Sequence, residues 1–208
     1  MNVGLTGGIA SGKSTVAKML QKKGALLIDL DELSRKVVQR GLPAWKSIVE
    51  YFGPEVLKDD GSINRKKLGA IVFEDHEKLT RLNEIVHPAI IERWQERLAE
   101  IKEKFPEAIV LSDIPLLIEL GLGKLVDVVV LVHIPKQEQI NRLMLRNGIS
   151  RKEALSRLNA QLPIDEKVPL VDIVVNNQDS IEKTQKIVDD LWQELLKREV
   201  KCRLSRPD

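Results

Sequence analysis

Hydrophobic residues along the chain follow two alternating patterns. Short aliphatic and β-branched runs, as long as buried strands, are separated by longer stretches in which apolar residues recur every three or four positions. The predicted strands are residues 2–6, 25–29, 108–112, 126–134 and 171–175. Strands that alternate with helices are typical of a parallel sheet covered on both faces, so the predicted class is α/β, a five-stranded parallel sheet flanked by helices.

Two helical excursions interrupt the predicted sheet. The first lies between the second and third strands, where a structureless loop of such length would be uncommon. The helices predicted there are residues 31–40, 43–52, 65–73 and 77–104. The second excursion, with predicted helices 137–146 and 151–161, resembles a lid, and a last helix is predicted at residues 180–198. We therefore expect one domain over residues 2–204, with a core of 2–30, 105–135 and 169–198, a helical lobe of 31–104 and a lid of 136–168.

Composition restricts the possible functions. With 43% hydrophobic and 31% charged residues the chain can bury a core, which excludes collagen-like, coiled-coil and wholly disordered proteins. Its net charge of +2 is too balanced for a protein that binds mainly nucleic-acid phosphates. No apolar run could span a membrane, no secretory signal is visible, and Cys202 is the only cysteine. We expect a cytoplasmic protein with no nucleic-acid or membrane partner, and a frayed, solvated basic tail at residues 197–206.

One motif points directly to chemistry. Residues 7–14, Gly-Gly-Ile-Ala-Ser-Gly-Lys-Ser, fit the phosphate-binding pattern G-x-x-x-x-G-K-[ST] and lie between a predicted strand and a predicted helix. In such a loop the backbone N–H groups bind phosphates, Lys13 reaches the β- and γ-phosphates, and Ser14 offers a hydroxyl to Mg²⁺. The competing interpretation is a glycine-rich turn that carries an exposed lysine.

Polar residues follow three other predicted strands. Asp29 and Asp31 follow the second strand, Asp113 the third and Asn177 the fifth. Ligands of open parallel sheets bind at this carboxyl edge, and carboxylates there suit Mg²⁺ or a substrate hydroxyl. Asp31 is the candidate base, and Asp113 joins Ser14 as a candidate for Mg²⁺. The structural alternatives are helix capping for Asp29 and Asp31 and a turn role for Asp113.

Basic and imidazole side chains add weaker signals. Arg142 and Arg146 lie one turn apart in the predicted lid, where they can face one anion or form a solvated surface. The basic cluster at residues 65–67 indicates little by itself, and His87 before Pro88 is either a ligand contact or a buried structural group. No zinc-ligand spacing and no nucleophile elbow are visible.

Six segments together are far more specific than the phosphate-binding loop alone. They are GLTGGIASGKST at residues 4–15, IDLD at 28–31, VHP at 86–88, DIPLLIE at 113–119, RLNAQ at 157–161 and DIVVNN at 172–177. The set resembles the dephospho-CoA kinase family over about residues 2–195. The resemblance implies a P-loop NTPase fold of the nucleoside-monophosphate-kinase type. It also implies the last step of coenzyme A synthesis, the phosphorylation of the ribose 3′-hydroxyl of dephospho-CoA with ATP and Mg²⁺.

The resemblance also implies site residues. The ATP phosphate site would be formed by Gly8, Ile9, Ala10, Ser11, Gly12, Lys13, Ser14 and Thr15. Arg142 would be the lid arginine on the phosphates, and Arg146 and Asn177 would lie near the nucleotide. Asp31 would accept the proton of the ribose hydroxyl. The residues in or beside the acceptor pocket would be Arg65, His87, Pro115, Leu116 and Leu117.

Two positions depart from the usual pattern of that family. Ala10 stands where many members carry glycine, and Leu30 stands where the two acids often enclose alanine. Neither change removes a catalytic group. The expected partners are ATP and dephospho-CoA, and the expected state is a monomer, with an oligomer left open. One rival function is a kinase of the same fold with another nucleoside or nucleotide acceptor, and another is a nucleotide-binding module without catalysis. A P-loop GTPase is a weaker rival, because the sequence has no Asn-Lys-x-Asp guanine-binding motif after a later strand.

Overall fold

The computed structural model describes residues 1–204, except the side chain of Cys202. The strands are β1 (Asn2–Gly7), β2 (Leu26–Asp29), β3 (Val110–Asp113), β4 (Val128–His133) and β5 (Ile173–Asn176). The helices are α1 (Lys13–Lys22), α2 (Leu30–Lys36), α3 (Pro43–Phe52), α4 (Arg65–Phe73), α5 (His76–Lys104), α6 (Lys136–Asn147), α7 (Arg151–Leu158), α8 (Ile164–Lys167) and α9 (Ile181–Leu204). Short 3₁₀ turns lie at Pro54–Val56, Leu122–Leu125 and Val168–Leu170. Among these residues no helix combines the length and the apolar character needed to cross a membrane.

The five strands form one sheet in the order β2-β3-β1-β4-β5. β1 pairs in parallel with β3 on one side and β4 on the other, and β4 pairs in parallel with β5. The predicted five-stranded parallel sheet is confirmed. Because β1 is central and Leu5 stands opposite Asp113, the carboxyl ends of β1 and β3 lie side by side. This register brings two sequence-predicted site segments to the same edge.

Helices α1 and α9 cover one face of the sheet. Val16 and Leu20 of α1 and Leu195 of α9 are buried with the side chains of β1 and β4 in one apolar cluster. Burial of each such side chain contributes about 1.5–3 kcal/mol to the free energy of unfolding. Helix α9 continues to Leu204, so the frayed tail expected at residues 197–206 is wrong as far as Leu204. The rest of that tail lies outside the described residues.

The described chain forms two compact units, residues 29–100 and residues 1–28 with 101–204. The helical unit has its own core, in which Ile48, Phe52 and Leu68 are buried. Its α3 has the predicted bounds because Pro43 fixes the first turn and Gly53, with a φ of 82°, ends the helix. The sequence predicts a helix as far as residue 40, but α2 ends at Lys36. The two residues after Lys36 are the β-branched Val37 and Val38, which disfavour helix.

Residues 136–168, here called the lid segment, carry α6, α7 and α8. The second predicted helix of this segment ends at Leu158, three residues early, and the four-residue α8 after Pro163 was not predicted. Asn159 is the C-cap of α7 and Pro163 is the N-cap of α8, so residues 160–162 form a connection where the pattern favoured helix as far as residue 161. Apolar side chains of α6 and α7 pack together, with Leu143 and Ala154 fully buried.

Candidate active site

The chain between β1 and α1 forms a phosphate-binding loop. The Ser11 N–H donates to the Gly8 carbonyl at 3.1 Å, which turns the loop back on itself. Gly12 has a φ of 86°, in the left-handed region that glycine adopts without penalty. Helix α1 then begins at Lys13 with no side-chain cap. The Thr15 N–H donates to the Gly12 carbonyl at 2.9 Å, whereas the N–H groups of Lys13 and Ser14 have no partner within residues 1–204. These two N–H groups are available to an anion, which the helix dipole also attracts.

The Ser11 side chain indicates independently that a polar ligand belongs here. Ser11 is 1% exposed, yet its hydroxyl has no hydrogen-bond partner within residues 1–204. A buried hydroxyl without a partner costs about 1–3 kcal/mol. A phosphate oxygen bound in the loop would remove that cost.

Lys13 forms an ion pair with Asp113 at the end of β3. Both side chains are largely buried, with 15% and 11% of their surface exposed. Asp113 is thus held by an ammonium across the sheet edge, which goes beyond the turn role considered from the sequence. The pair keeps the Lys13 charge at the loop, where phosphates would bind.

Arg142 of α6 reaches the same loop through Asn177. Its Nη2 donates to the Asn177 carbonyl at 3.1 Å, and its Nε donates to Glu138 at 2.9 Å. The Asn177 amide donates to the Ser11 carbonyl at 2.7 Å and accepts from the Thr184 hydroxyl at 2.8 Å. A Cβ on Gly12 would run into this amide. Arg142 and Asn177 therefore lie at the loop, and their contacts with a nucleotide stay predictions.

The structure leaves other nucleotide candidates at the surface. Arg146 is exposed, and its Nε donates to the neighbouring Asn147 at 2.9 Å. Ser14 and Thr15 are exposed in the first turn of α1. Ser14 thus presents its hydroxyl next to Lys13, whereas the contact of Arg146 with a nucleotide stays a prediction.

The turn after β3 separates its three candidate residues. Thr6 of β1 donates its hydroxyl to the Pro115 carbonyl at 3.1 Å, which ties the turn to the sheet. Leu117 is fully buried, and a Cβ on Gly4 would clash with it. Leu116 is 38% exposed. Pro115 and Leu116 can touch a ligand, while Leu117 shapes the turn from inside.

The two acids after β2 have different local roles. Asp29 is the N-cap of α2, and its carboxylate accepts from the Glu32 N–H at 3.1 Å. Leu30 is buried, whereas Asp31 is exposed and its carboxylate has no ion pair or hydrogen bond within residues 1–204. Helix capping therefore explains Asp29 but not Asp31, whose carboxylate is free to bind a ligand.

The remaining candidates of the helical unit differ in exposure. Arg65 is the exposed first residue of α4, just after the N-cap Asn64, whose side chain accepts from the Lys67 N–H at 3.1 Å. His87 is half-buried on α5, and burial lowers the pKa of its imidazole below the usual 6.5 because the charged form is disfavoured. At neutral pH the ring is therefore mainly neutral, so one ring nitrogen can donate a hydrogen bond and the other can accept one.

Several polar residues of the site region were missed by sequence reasoning. Gln139 and Gln161 bind the backbone of Ile9 in the loop. Lys167, which is fully buried, lies 2.6 Å from Glu119 in the turn after β3. Gln161 and Glu119 belong to quoted motifs but received no role. Nothing in the local pattern distinguishes Gln139 or Lys167 from the polar residues around them.

Known proteins place the chain in a family. A family model described as dephospho-CoA kinase matches residues 1–183. The chain belongs to the dephospho-CoA kinase family. It is 53% identical to the dephospho-CoA kinase of Syntrophus aciditrophicus strain SB over 199 residues, 96% of this chain and 85% of that protein. It is 46% identical to that of Carboxydothermus hydrogenoformans over 191 residues, 92% of both chains.

Solved structures agree with this membership. The dephospho-CoA kinase from Campylobacter jejuni superposes with a TM-score of 0.73 at 27% identity, and TT1252 from Thermus thermophilus with 0.80 at 33% identity. Each comparison covers 94% of this chain and 97% of the other. A shikimate kinase from Bacteroides thetaiotaomicron, with a TM-score of 0.50 at 18% identity over 95% of this chain and 98% of the other, shares the fold alone. The family and the P-loop kinase fold expected from the motifs are confirmed.

Proposed function

We propose that this chain transfers the γ-phosphoryl group of ATP to the ribose 3′-hydroxyl of dephospho-CoA, giving coenzyme A and ADP. Its membership of the dephospho-CoA kinase family makes it a phosphotransferase and ATP its phosphoryl donor. The observation that carries the proposal is the convergence of Lys13, Arg142 and the uncapped start of α1 on one loop. Fixed positive charge and free N–H groups are what a transferring phosphoryl group requires.

On the donor side, residues 8–15 hold the phosphates. The N–H groups of the loop and of the first turn of α1 bind phosphate oxygens, and the Ser11 hydroxyl gains the partner it lacks. Lys13 turns from Asp113 to the β- and γ-phosphates. Arg142 supplies a second cation from the lid segment, while Asn177 and Arg146 complete the nucleotide contacts.

The residues of the site fit a magnesium ion. Ser14 offers an exposed hydroxyl beside Lys13, and Asp113 offers a carboxylate at the neighbouring strand end, both hard oxygen ligands of the kind Mg²⁺ prefers. We assign Ser14 and Asp113 to the metal. When bound, Mg²⁺ neutralises charge on the phosphates.

On the acceptor side, Asp31 is the general base. Its exposed carboxylate orients the 3′-hydroxyl and takes its proton while the oxygen forms a bond to the γ-phosphorus and the bond from that phosphorus to the β-phosphate oxygen breaks. The residues assigned to acceptor binding are Arg65, His87, Pro115 and Leu116, and the buried Leu117 holds their turn from inside. In this assignment residues 31–104 form the acceptor-binding lobe and residues 136–168 the lid, which excludes water during transfer. We further propose that the enzyme works as a monomer in the cytoplasm.

A comparison of acceptors tests this function. The purified chain is given ATP and Mg²⁺ with dephospho-CoA, adenosine or a nucleoside monophosphate, and the products are identified by mass and by phosphate position. We expect 3′-phosphorylated product from dephospho-CoA at the highest kcat/KM. Preferred phosphorylation of adenosine or a monophosphate would make the chain a nucleoside or nucleotide kinase of the same fold. ATP binding without any product would leave a non-catalytic nucleotide-binding module.

A further inference from the structure

Two glutamines of the lid segment hold one residue of the phosphate-binding loop. Gln139 of α6 donates from Nε2 to the Ile9 carbonyl at 2.8 Å, and the Ile9 N–H donates to Gln161 Oε1 at 3.1 Å. Gln139 is only 3% exposed, and a Cβ on Gly8 would run into its amide. Both backbone polar groups of Ile9 are therefore bound by side chains from the lid segment.

These two bonds fix the direction of the adjoining peptides. A trans peptide points its C=O and its N–H to opposite sides, and no peptide among the described residues is cis. Since the Ile9 carbonyl faces Gln139, the Ala10 N–H of the same peptide points away from the lid glutamine. Within residues 1–204 this N–H has no hydrogen-bond partner. The preceding peptide is arranged in reverse: its N–H faces Gln161, and its Gly8 carbonyl accepts from Ser11.

Ala10 needs support to keep this orientation. Its φ of 60° is the one positive value at a non-glycine residue in the described chain, and alanine disfavours that region. Ile9 and Ala10 also pack against the apolar cluster formed by Ile140, Leu143, Ala154 and Leu158 of α6 and α7. Hydrogen bonds and packing from the lid segment thus hold a backbone conformation that the residue itself resists.

We propose that Gln139 and Gln161 are positioning residues of the kinase: they hold the Ile9–Ala10 peptide so that the Ala10 N–H donates to a β- or γ-phosphate oxygen of the nucleotide. The inference rests on the proposed assignment of this loop to ATP. These hydrogen bonds couple the lid segment to the phosphate-binding loop. Displacement of the lid segment releases the Ile9–Ala10 peptide and weakens phosphate binding by the loop.

Nucleotide binding to single variants tests this role. Gln139→Met keeps the size and neutrality of the side chain but removes its donor. By calorimetry, we expect the Kd of a non-hydrolysable ATP analogue to rise about tenfold or more, the loss of one hydrogen bond to a charged group. The Kd of AMP, which lacks both outer phosphates, stays within about twofold. Gln137→Met is the matched control, since Gln137 lies exposed on the same helix. It donates to Asn141 and accepts from Arg151, both within the lid segment and outside the loop, so its substitution should change neither affinity.

Two further variants separate positioning from a general loss of structure. Gln161→Met, which removes the acceptor of the Ile9 N–H, should give the same pattern as Gln139→Met, so the test survives if one variant fails to fold. Adding Ala10→Gly to Gln139→Met should restore part of the affinity for the analogue, because glycine adopts positive φ without penalty. A glutamine that only stabilises the lid segment gives no such rescue.

Three results with the variants would overturn the proposal. These are equal weakening of AMP and the analogue, equal effects of the Gln137 and Gln139 variants, and absence of rescue by Ala10→Gly. A wild-type chain that binds the analogue no better than AMP would also overturn it. Because these measurements need no acceptor, failure of transfer to dephospho-CoA would contradict the proposed function and leave this readout intact.

Discussion

The two compact units of the chain differ in how far their candidate residues are bound within the protein itself. At the phosphate-binding loop, Lys13 pairs with Asp113, and Arg142 and Asn177 are hydrogen-bonded. In the helical unit, the exposed carboxylate of Asp31 has no hydrogen-bond or ion-pair partner among residues 1–204. A residue that already holds the fold affects stability as well as ligand binding, whereas an unengaged residue can act only on the ligand. The predictions below test that distinction.

Asp31→Asn should have the largest effect on activity and almost none on stability. Asparagine cannot accept the hydroxyl proton, so kcat should fall by about 10²–10⁴-fold while ATP affinity is kept. The free energy of unfolding should change by less than about 1 kcal/mol, because only an exposed charge in the first turn of α2 is lost. Steady-state kinetics and urea unfolding measure the two effects. The control is Glu32→Gln on the same helix, and turnover near wild type for Asp31→Asn would show that this residue is not the base.

Lys13→Ala should lower both activity and stability. Loss of the ammonium should slow transfer by about 10²–10³-fold. It also removes the partner of the largely buried Asp113, which we expect to cost about 1–3 kcal/mol in urea unfolding. In the double variant with Asp113→Asn, stability should return and transfer should not. Transfer that returns with the double variant would contradict a role for Lys13 on the phosphates.

Contacts between residues far apart in the chain also limit how much of the structure could be predicted from the sequence. The phosphate-binding loop and the bounds of α3 and α4 follow from short-range rules, since glycines, Pro43 and Asn64 act on their own neighbours. The contacts between Lys167 and Glu119 join residues far apart in the chain, and only the register of the strands and the path of the lid segment bring them together. Local propensity contains no information on such pairs.

Boundary errors have the same cause. The pattern favoured a helix through residues 151–161, but α7 ends at Leu158, and beyond it Gln161 and Leu162 make hydrogen bonds to Ile9 and Glu119, which are distant in the chain. Arg142 and Arg146 share a predicted face, yet only Arg142 contacts the loop region, because Asn177 at the end of β5 supplies its acceptor. For Asp31 and Arg65, the sequence resemblance supplies the assigned role and the structure adds their exposure.

Lys167→Met tests an ion pair in the unit that contains the phosphate-binding loop, and only the free energy of unfolding is measured. The fully buried ammonium lies 2.6 Å from Glu119, whose side chain is 20% exposed. Removing one member of a buried pair leaves the other uncompensated, and because Glu119 can regain some water we expect a loss of about 3 kcal/mol in the free energy of unfolding. The matched control, Lys183→Met, breaks an exposed pair and should cost less than about 1 kcal/mol. If both variants lose the same free energy of unfolding in thermal or urea experiments, the burial of Lys167 does not strengthen its contribution to stability.

The smallest expected effect concerns His87 and the pH dependence of stability. Burial lowers the pKa of this imidazole in the folded chain, while the unfolded chain keeps the usual value of 6.5. The unfolded state therefore takes up a proton at higher pH than the folded state. The contribution of the neutral ring to stability is complete above pH 6.5 and is lost as the pH falls through this value towards the folded pKa.

A comparison with His87→Gln isolates this term, because glutamine does not titrate. The free energy of unfolding of the wild type minus that of the variant should decrease from above pH 6.5 to about pH 5. A difference that instead grows on acidification would mean that the folded chain stabilises the imidazolium. His87 would then resemble the engaged residues of the phosphate-binding loop, and the contrast between the two units would not extend to it.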